Sequence, residues 1–450
     1  MSPTESVHGM WSSRLMFILA AAGSAVGLGN IWRFPYIAGE NGGGAFVLVY
    51  LICIFLIGIP ILSSEILLGR AGRQSPINTM LGLVKRSGAN RGWNVIGWMG
   101  ALAGFMILSF YAVIAGWAMA YVAESASGTF VGVDSDGATK AFNDFVGDPA
   151  QVLFWHAIFM VMTIFIVGRG VNEGLEKAVK YLMPALLVLL LILVGYASTT
   201  GYFGEGLSFL FSLNFDKLTW NGVLMAMGQA FFTLSLGMGA IMTYGAYMPK
   251  DASIVKSATI IALIDTSVAL LAGMAIFPLV FANGLESSSG PGLMFVTLPL
   301  AFGQMSGGVV FGTLFFLLVT FAAITSAISL IEPALAWLVE HLHVSRVRGS
   351  ILVGGVAWFV GLGSAFSTNI WSDLMILPGM NFFDTMDYVS NNIMLPLGGM
   401  LIALFCGWAL DKSVSEEQLQ LSSAQFAIWQ VLVRFVAPLA VGAVFVLTFI

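Results

Sequence analysis

The stretch GSAVGLGN, residues 23–30, interrupts an otherwise apolar run that extends from residue 14 to residue 38. Glycine, serine and asparagine are poor helix residues, and unwound backbone at membrane depth is tolerated only where it is buried in protein or lines a cavity. Whether this break lies in a membrane therefore decides what it means. Of the 450 residues, 58% are hydrophobic and 9% charged, against roughly a quarter charged in a soluble chain. The apolar residues fall in continuous blocks long enough to cross a bilayer as helices, at about 20 residues each. Short alternating strands are missing, which excludes a transmembrane barrel. The pattern predicts an all-α polytopic membrane protein with about eleven spans: 14–38, 43–69, 94–123, 152–168, 176–198, 221–248, 256–282, 308–340, 350–367, 388–410 and 426–450. The first span runs through Arg33 and Pro35 without a clear small-residue cleavage site, so it reads as a span and not as a signal peptide.

Lysine and arginine placement sets the orientation. With the N-terminus cytoplasmic, fourteen of the 18 basic residues fall on or near that side, including Arg70, Arg73, Lys85, Arg86, Arg346 and Lys412. Only Lys140 and Lys217 fall opposite, while Arg33 and Arg434 lie within spans. The expectation is a multi-pass membrane protein with the N-terminus cytoplasmic and, with eleven spans, the C-terminus extracytoplasmic. Acidic residues gather in outer loops such as 134–148, no basic cluster points to nucleic acid, and no soluble domain has room to exist. Cys53 and Cys406 lie inside spans and read as inert apolar fillers.

A second break, TLSLGMGAIM at residues 233–242, interrupts the sixth span. Glycines in one membrane helix are explained by close helix packing. Two glycine-interrupted segments at corresponding positions of two halves point instead to a transporter built from repeats. Residues 1–450 then form a single transporter domain. Its first five-helix repeat is 11–199, its second is 221–410, and 426–450 adds an eleventh span. Five is an odd number of crossings, so the second repeat is inverted. At such breaks free N–H groups meet a carboxylate and loose carbonyls meet a cation.

At these residues the chain resembles a known family. WSSRLMFILAAAGSAVGLGNIWRFPYIAGENGGGAFVLVY (11–50), GQAFFTLSLGMGAIMTYGAYMPKD (228–251) and FAAITSAISLIEP (321–333) are similar to helices one and two, six, and eight of the neurotransmitter:sodium symporters. The resemblance covers nearly the whole chain. It implies the 5+5 inverted-repeat, leucine-transporter (LeuT-type) fold with helices one and six unwound. It also implies a bacterial eleven-helix symporter that couples amino-acid uptake to inward sodium movement.

The resemblance further implies two sodium sites, and sodium prefers hard oxygen donors. The first would use the carbonyl of Ala25, the side chains of Asn30 and Thr233, and the substrate carboxylate. Asp265 would complete it. Asp265 lies about nine residues, ~14 Å, into its span, where a lone carboxylate is costly and marks function. Many relatives carry Asn there and bind chloride nearby, partly through a Ser one turn later, where this chain has Ala269. A fixed negative charge in its place predicts chloride independence, with Tyr50 and Gln229 as hydrogen-bonding support. The second sodium would use carbonyls of Gly23, Val26 and Ala322 and the hydroxyls of Thr325 and Ser326.

For the substrate, the resemblance places backbone N–H groups of Leu28 and Gly29 and the Tyr111 hydroxyl on the carboxylate. Carbonyls of Ala25, Phe232 and Thr233, with Ser235, take the ammonium. Gly27 stands where monoamine carriers have Asp, which argues for amino acids. Ile107, Phe232, Met238, Ser326 and Leu330 would surround the side chain, implying a neutral hydrophobic amino acid. Arg33 and Asp387, with Phe232 beneath them, match the outer gate, and 283–305 the outer lid loop. On the inner side His8 and Glu340 replace the usual arginine–acid pair, giving a latch whose charge depends on the histidine's proton. On spacing alone Gly174 and Pro184 read first as an ordinary proline kink; the resemblance implies that they mark a segment of the fifth span able to unwind and admit water to the second sodium.

Two rivals remain. An ion channel needs a ring of polar groups from several subunits, and an intramembrane enzyme needs a catalytic partner for Asp265, which stands alone at its depth. No HExxH run occurs, so the chain is read as no enzyme.

Overall fold

The computed structural model describes residues 6–284 and 292–447. Among them nine helices are long and apolar enough to cross a membrane, and one bent helix pair makes a tenth. In chain order, span 1 is the bent pair Arg14–Ala25 and Gly29–Glu40, span 2 Gly44–Gly72, span 3 Arg91–Ala126, span 4 Pro149–Gly168 and span 5 Val171–Ala197. Span 6 is split into Trp220–Thr233 and Ala240–Ala246. Span 7 is Ile254–Ala282, span 8 Gly308–Leu342, span 9 Arg346–Phe366, span 10 Phe382–Ala409 and span 11 Ser423–Val446. Residues 448–450 of the expected last span, and 285–291 of the expected outer lid, lie outside the described residues.

Several ends differ from the hydropathy reading. Span 5 begins at Val171 and span 10 at Phe382, each starting in polar sequence that hydropathy discards. The acidic loop after span 3 folds into a helix, Ser135–Gly147, whose first turn Asp134 caps by accepting from the Gly137 N–H at 2.8 Å. Residues of the expected outer lid form the helices Leu293–Thr297 and Leu298–Gln304.

Small residues let the helices close around the breaks. Gly69 of span 2 touches span 6 so closely that a Cβ there would lie 1.9 Å from the Met242 carbonyl oxygen. Gly245 returns the contact, with a Cβ 2.8 Å from the Ile66 carbonyl. Gly100 and Gly104 of span 3 give the same room to the second break: Cβ atoms there would reach the Gly239 nitrogen and the Met238 carbonyl at 3.1 Å. Such approaches supply the dispersion contacts that hold membrane helices together, since lipid offers no hydrophobic drive between them. Span 8 packs along span 3, span 9 along span 4, and the first half of span 1 between spans 7 and 8.

Candidate functional site

The first break starts at Val26, an extended residue (φ −70°, ψ 106°) that ends Arg14–Ala25, and the axis turns by 58° before Gly29–Glu40. Asn30 secures it. Its side-chain oxygen accepts from the Gly27 N–H at 3.0 Å, closing the turn. Its side-chain nitrogen donates to Asp265 Oδ1 at 2.7 Å and to Thr233 Oγ1 at 2.9 Å. Thr233, the last residue of the first half of span 6, donates in turn to Asp265 Oδ2 at 2.9 Å. One fully buried carboxylate from span 7 thus joins both broken helices. Hydrogen bonds to a charged group are worth roughly 1.5–3 kcal/mol each, and they offset part of the cost of placing that charge in the membrane.

Around this triad the buried Tyr50 hydroxyl faces Asp265, Thr233 and Thr266, while the buried Gln229 carboxamide completes no hydrogen bond among the described residues. Tyr50 packs its ring on Phe34, with centroids 4.9 Å apart. Tyr50 thus stands against the Asp265 carboxyl as well.

The expected substrate residues meet at the breaks. Gly27 leaves no space for a side chain: a Cβ would lie 2.8 Å from Ser326 Oγ and 3.2 Å from the Tyr111 hydroxyl. That buried hydroxyl faces the Ser326 side chain and the Leu28 backbone. Ser235 sits at φ +55° and donates to the Ser24 carbonyl at 2.9 Å, tying the second break to the first. Ala25, Leu28, Ile107, Met238 and Leu330 are all buried. Phe232 lies across Gly29, where a Cβ would come within 2.7 Å of its ring.

Residues expected for a second sodium converge where spans 1 and 8 touch. Ser326 Oγ lies 3.3 Å from the Val26 carbonyl and 3.4 Å from that of Ser24. A Cβ on Gly23 would be 3.2 Å from the Thr325 Cβ. Thr325 itself donates to the carbonyls of Ala322 (3.0 Å) and Phe321 (3.2 Å), the usual bond of a helical threonine to its own preceding turn.

The residues expected for the outer gate lie near Phe232 without pairing. The Arg33 guanidinium lies 4.9 Å from the Phe232 ring centroid, and no hydrogen bond or ion pair joins Arg33 to Asp387 among the described residues. Asp387 instead accepts from Asn391 at 2.6 Å. Arg33, Phe232 and Asn391 line a cavity of about 240 Å³ shared with Met225, Leu395 and Val441.

The residues expected for the inner gate meet. His8 Nε2 is 2.9 Å from Glu340 Oε1, both side chains buried, and Glu340 also accepts from the Ser75 N–H at 2.7 Å, the Ser75 hydroxyl at 2.5 Å and Asn78 at 2.7 Å. Trp11 donates from its backbone to the Tyr247 carbonyl (2.9 Å) and from its indole to that of Tyr244 (3.1 Å). Span 5 is wound here. A wide turn over Val171–Glu176 contains Gly174, and helix continues through Pro184. Glu176 accepts from the Ser12 N–H at 2.9 Å, so the start of span 5 is bonded to the N-terminal segment.

Sequence reasoning passes over Glu65. It is fully buried in span 2, and its Oε1 accepts from the Gly237 N–H at 2.5 Å, which fixes the second break from behind. The signal was available: one carboxylate in the apolar run ILSSEILLG. The pair Arg346–Glu332 (2.5 Å), with Tyr247 donating to Glu332 at 2.8 Å, escapes notice because its members lie on three separate spans.

The model of the sodium:neurotransmitter symporter family matches residues 8–133 and 139–450. An uncharacterized sodium-dependent transporter of Bacillus subtilis, YhdH, is 38% identical over 97% of this chain and 96% of its own. One from Haemophilus influenzae is 34% identical over 97% of each chain. The crystal structure of MhsT in complex with L-phenylalanine superposes with a TM-score of 0.89 at 44% identity, covering 97% of this chain and 99% of that one. The chain belongs to the sodium:neurotransmitter symporter family: it is a sodium-dependent, multi-pass transporter of the leucine-transporter fold, not an enzyme.

Proposed function

From that membership we propose a symporter that imports neutral hydrophobic amino acids with sodium, by alternating access and without chloride. The observation that carries the reading is the Asp265 carboxylate held between Asn30 and Thr233, one from each broken helix. Sodium entering there meets a fixed negative charge, with the Ala25 carbonyl, Asn30 and Thr233 as further oxygens. A second sodium is assigned to Gly23, Val26, Ala322, Thr325 and Ser326. The substrate carboxylate sits on the N–H groups of Leu28 and Gly29, beside the Tyr111 hydroxyl that already faces Leu28. The ammonium goes to the carbonyls of Ala25, Phe232 and Thr233 and to Ser235.

Lack of space at Gly27 supports amino acids over bare amines, because an aspartate there collides with Ser326. The buried apolar wall of Ile107, Met238 and Leu330 supports an apolar side chain. So does likeness to a structure that holds phenylalanine. Each net charge moved inward gains about 2.3 kcal/mol per 100 mV of membrane potential, and a zwitterion adds none, so sodium carries the electrical drive.

In this reading the N-terminus is cytoplasmic and the membrane is the cell (inner) membrane. Residues 11–199 and 221–410 are the two inverted repeats, with 426–450 outside them. His8–Glu340 is the inner gate, Arg33, Asp387 and Phe232 the outer one, and Gly174 to Pro184 the stretch that unwinds for sodium release. The separated outer charges and closed inner latch suit a carrier facing outward.

Uptake of radiolabelled amino acids into proteoliposomes tests it, with sodium replaced by potassium and chloride by gluconate. The expected result is uptake of phenylalanine- or leucine-like substrates that needs sodium and tolerates gluconate. Current without bound solute would favour a channel, and chloride-dependent uptake would overturn the role given to Asp265.

A further inference from the structure

Arg434 takes no part in transport as described, yet it is a charge within span 11, directly before the uncharged apolar stretch 435–450, and the span's flank is mostly turned outward. Such a residue calls for a partner. Its Nε donates to the Gly407 carbonyl at 2.5 Å, capping an end carbonyl of span 10. Its guanidinium lies 5.1 Å from the ring centroid of Trp408, which is 58% exposed and donates from its indole to the Arg434 carbonyl at 3.2 Å. Phe435 meets the same ring edge-on at 5.4 Å. The Nη atoms have no protein acceptor among the described residues.

The level of this site follows from span 10. That helix ends at Ala409, and polar sequence, Asp411-Lys412-Ser413, follows at once. Gly407 and Trp408 therefore lie where the chain leaves the membrane, on the face that carries Arg86 and Ser87, to which Glu417 and Asp411 are tied. An exposed tryptophan at such a level is an interfacial anchor, and a long arginine side chain reaches toward the headgroups from within. The nearby acids are engaged elsewhere: Asp411 accepts from the Ser413 N–H (2.9 Å), Glu416 pairs with Lys412 (3.2 Å) and Glu417 with Arg86 (3.5 Å).

We propose that Arg434 and Trp408 form a binding site for the phosphate of an anionic phospholipid. The two Nη groups clamp phosphate oxygens as a fork, and the glycerol end lies along the Trp408 ring. Because the site is remote from the helix breaks, it is independent of the symport reading.

The test reconstitutes purified protein in nanodiscs of phosphatidylcholine, with and without a minor fraction of phosphatidylglycerol. Retained lipid is counted by native mass spectrometry, and thermal midpoints are recorded. The native chain is expected to retain phosphatidylglycerol and gain stability from it. R434Q keeps an N–H donor for Gly407 and is expected to bind this lipid roughly tenfold more weakly, the loss of one charge-assisted contact. R434K, expected in between, serves if R434Q fails to fold. Equal retention in the native chain and the folded variants overturns the proposal. So does protection in detergent by inorganic phosphate that phosphatidylglycerol does not exceed, which would make the site one for a free anion.

Discussion

The two helix breaks use glycine for different reasons. In span 6 the backbone itself demands it: Gly237 has φ +82° and Gly239 φ +72°, a region that costs other residues roughly 1–2 kcal/mol. In span 1 neither Gly27 nor Gly29 adopts a positive φ. There the demand is for space, since side chains of Ser326, Tyr111 and Phe232 crowd the positions a Cβ would take. The first break is therefore a fit between neighbours, whereas the second is a shape of the chain. A side-chain neighbour can retreat; a backbone angle cannot.

That contrast ranks substitutions. G237A should have the largest effect, because it adds strain at φ +82° and puts a Cβ 2.6 Å from the Leu395 carbonyl oxygen. Uptake should vanish and the thermal midpoint should drop; a near-native melt with active uptake would erase the distinction. Removing the outside brace, E65A should cost most of the activity by stranding the Gly237 N–H, a penalty of about 1–3 kcal/mol. E65Q retains an acceptor and should lose much less. Equal losses would mean that the charge, not the hydrogen bond, matters.

For the first break, G27A should fold normally and raise the KM for substrate roughly tenfold, about 1.4 kcal/mol of binding. Because the nearest obstacle is the Ser326 hydroxyl, which is also assigned to the second sodium, the G27A penalty should be smaller when measured in an S326A background, against S326A alone. An undiminished penalty there would move the fault from space to backbone. The smallest effect is expected for G29A, where the neighbour is the half-buried Phe232 ring, free to swing toward the cavity beneath Arg33. A KM change under about threefold is expected, from an off-rotamer cost near 1 kcal/mol.

Much of this was legible in the sequence because membrane physics leaves few options. Continuous apolar blocks must be helices, and GSAVGLGN and SLGMG could not both be accidents of packing. Asp265 could be read as functional because a carboxylate at that depth has few other uses. Its partners Asn30 and Thr233 came from family resemblance, since nothing in spacing brings residues 30, 233 and 265 together. The helix Ser135–Gly147 was hidden because an amphipathic surface helix has no hydropathy signal. Which glycines serve φ and which serve space was also beyond sequence, because both look alike as letters. Glu65 was readable and overlooked.

The central claim is that one carboxylate links both breaks to sodium in place of a bound anion. Sodium-driven phenylalanine uptake by D265N, measured in proteoliposomes with and without chloride, tests it most directly. Asparagine keeps the size and one accepting oxygen for Asn30 while removing the charge, and the Thr233 hydroxyl can turn to accept from its NH2. The account predicts weak uptake in gluconate that chloride restores, against native uptake that ignores chloride. Uptake by D265N equal to that of the native chain in gluconate would contradict it.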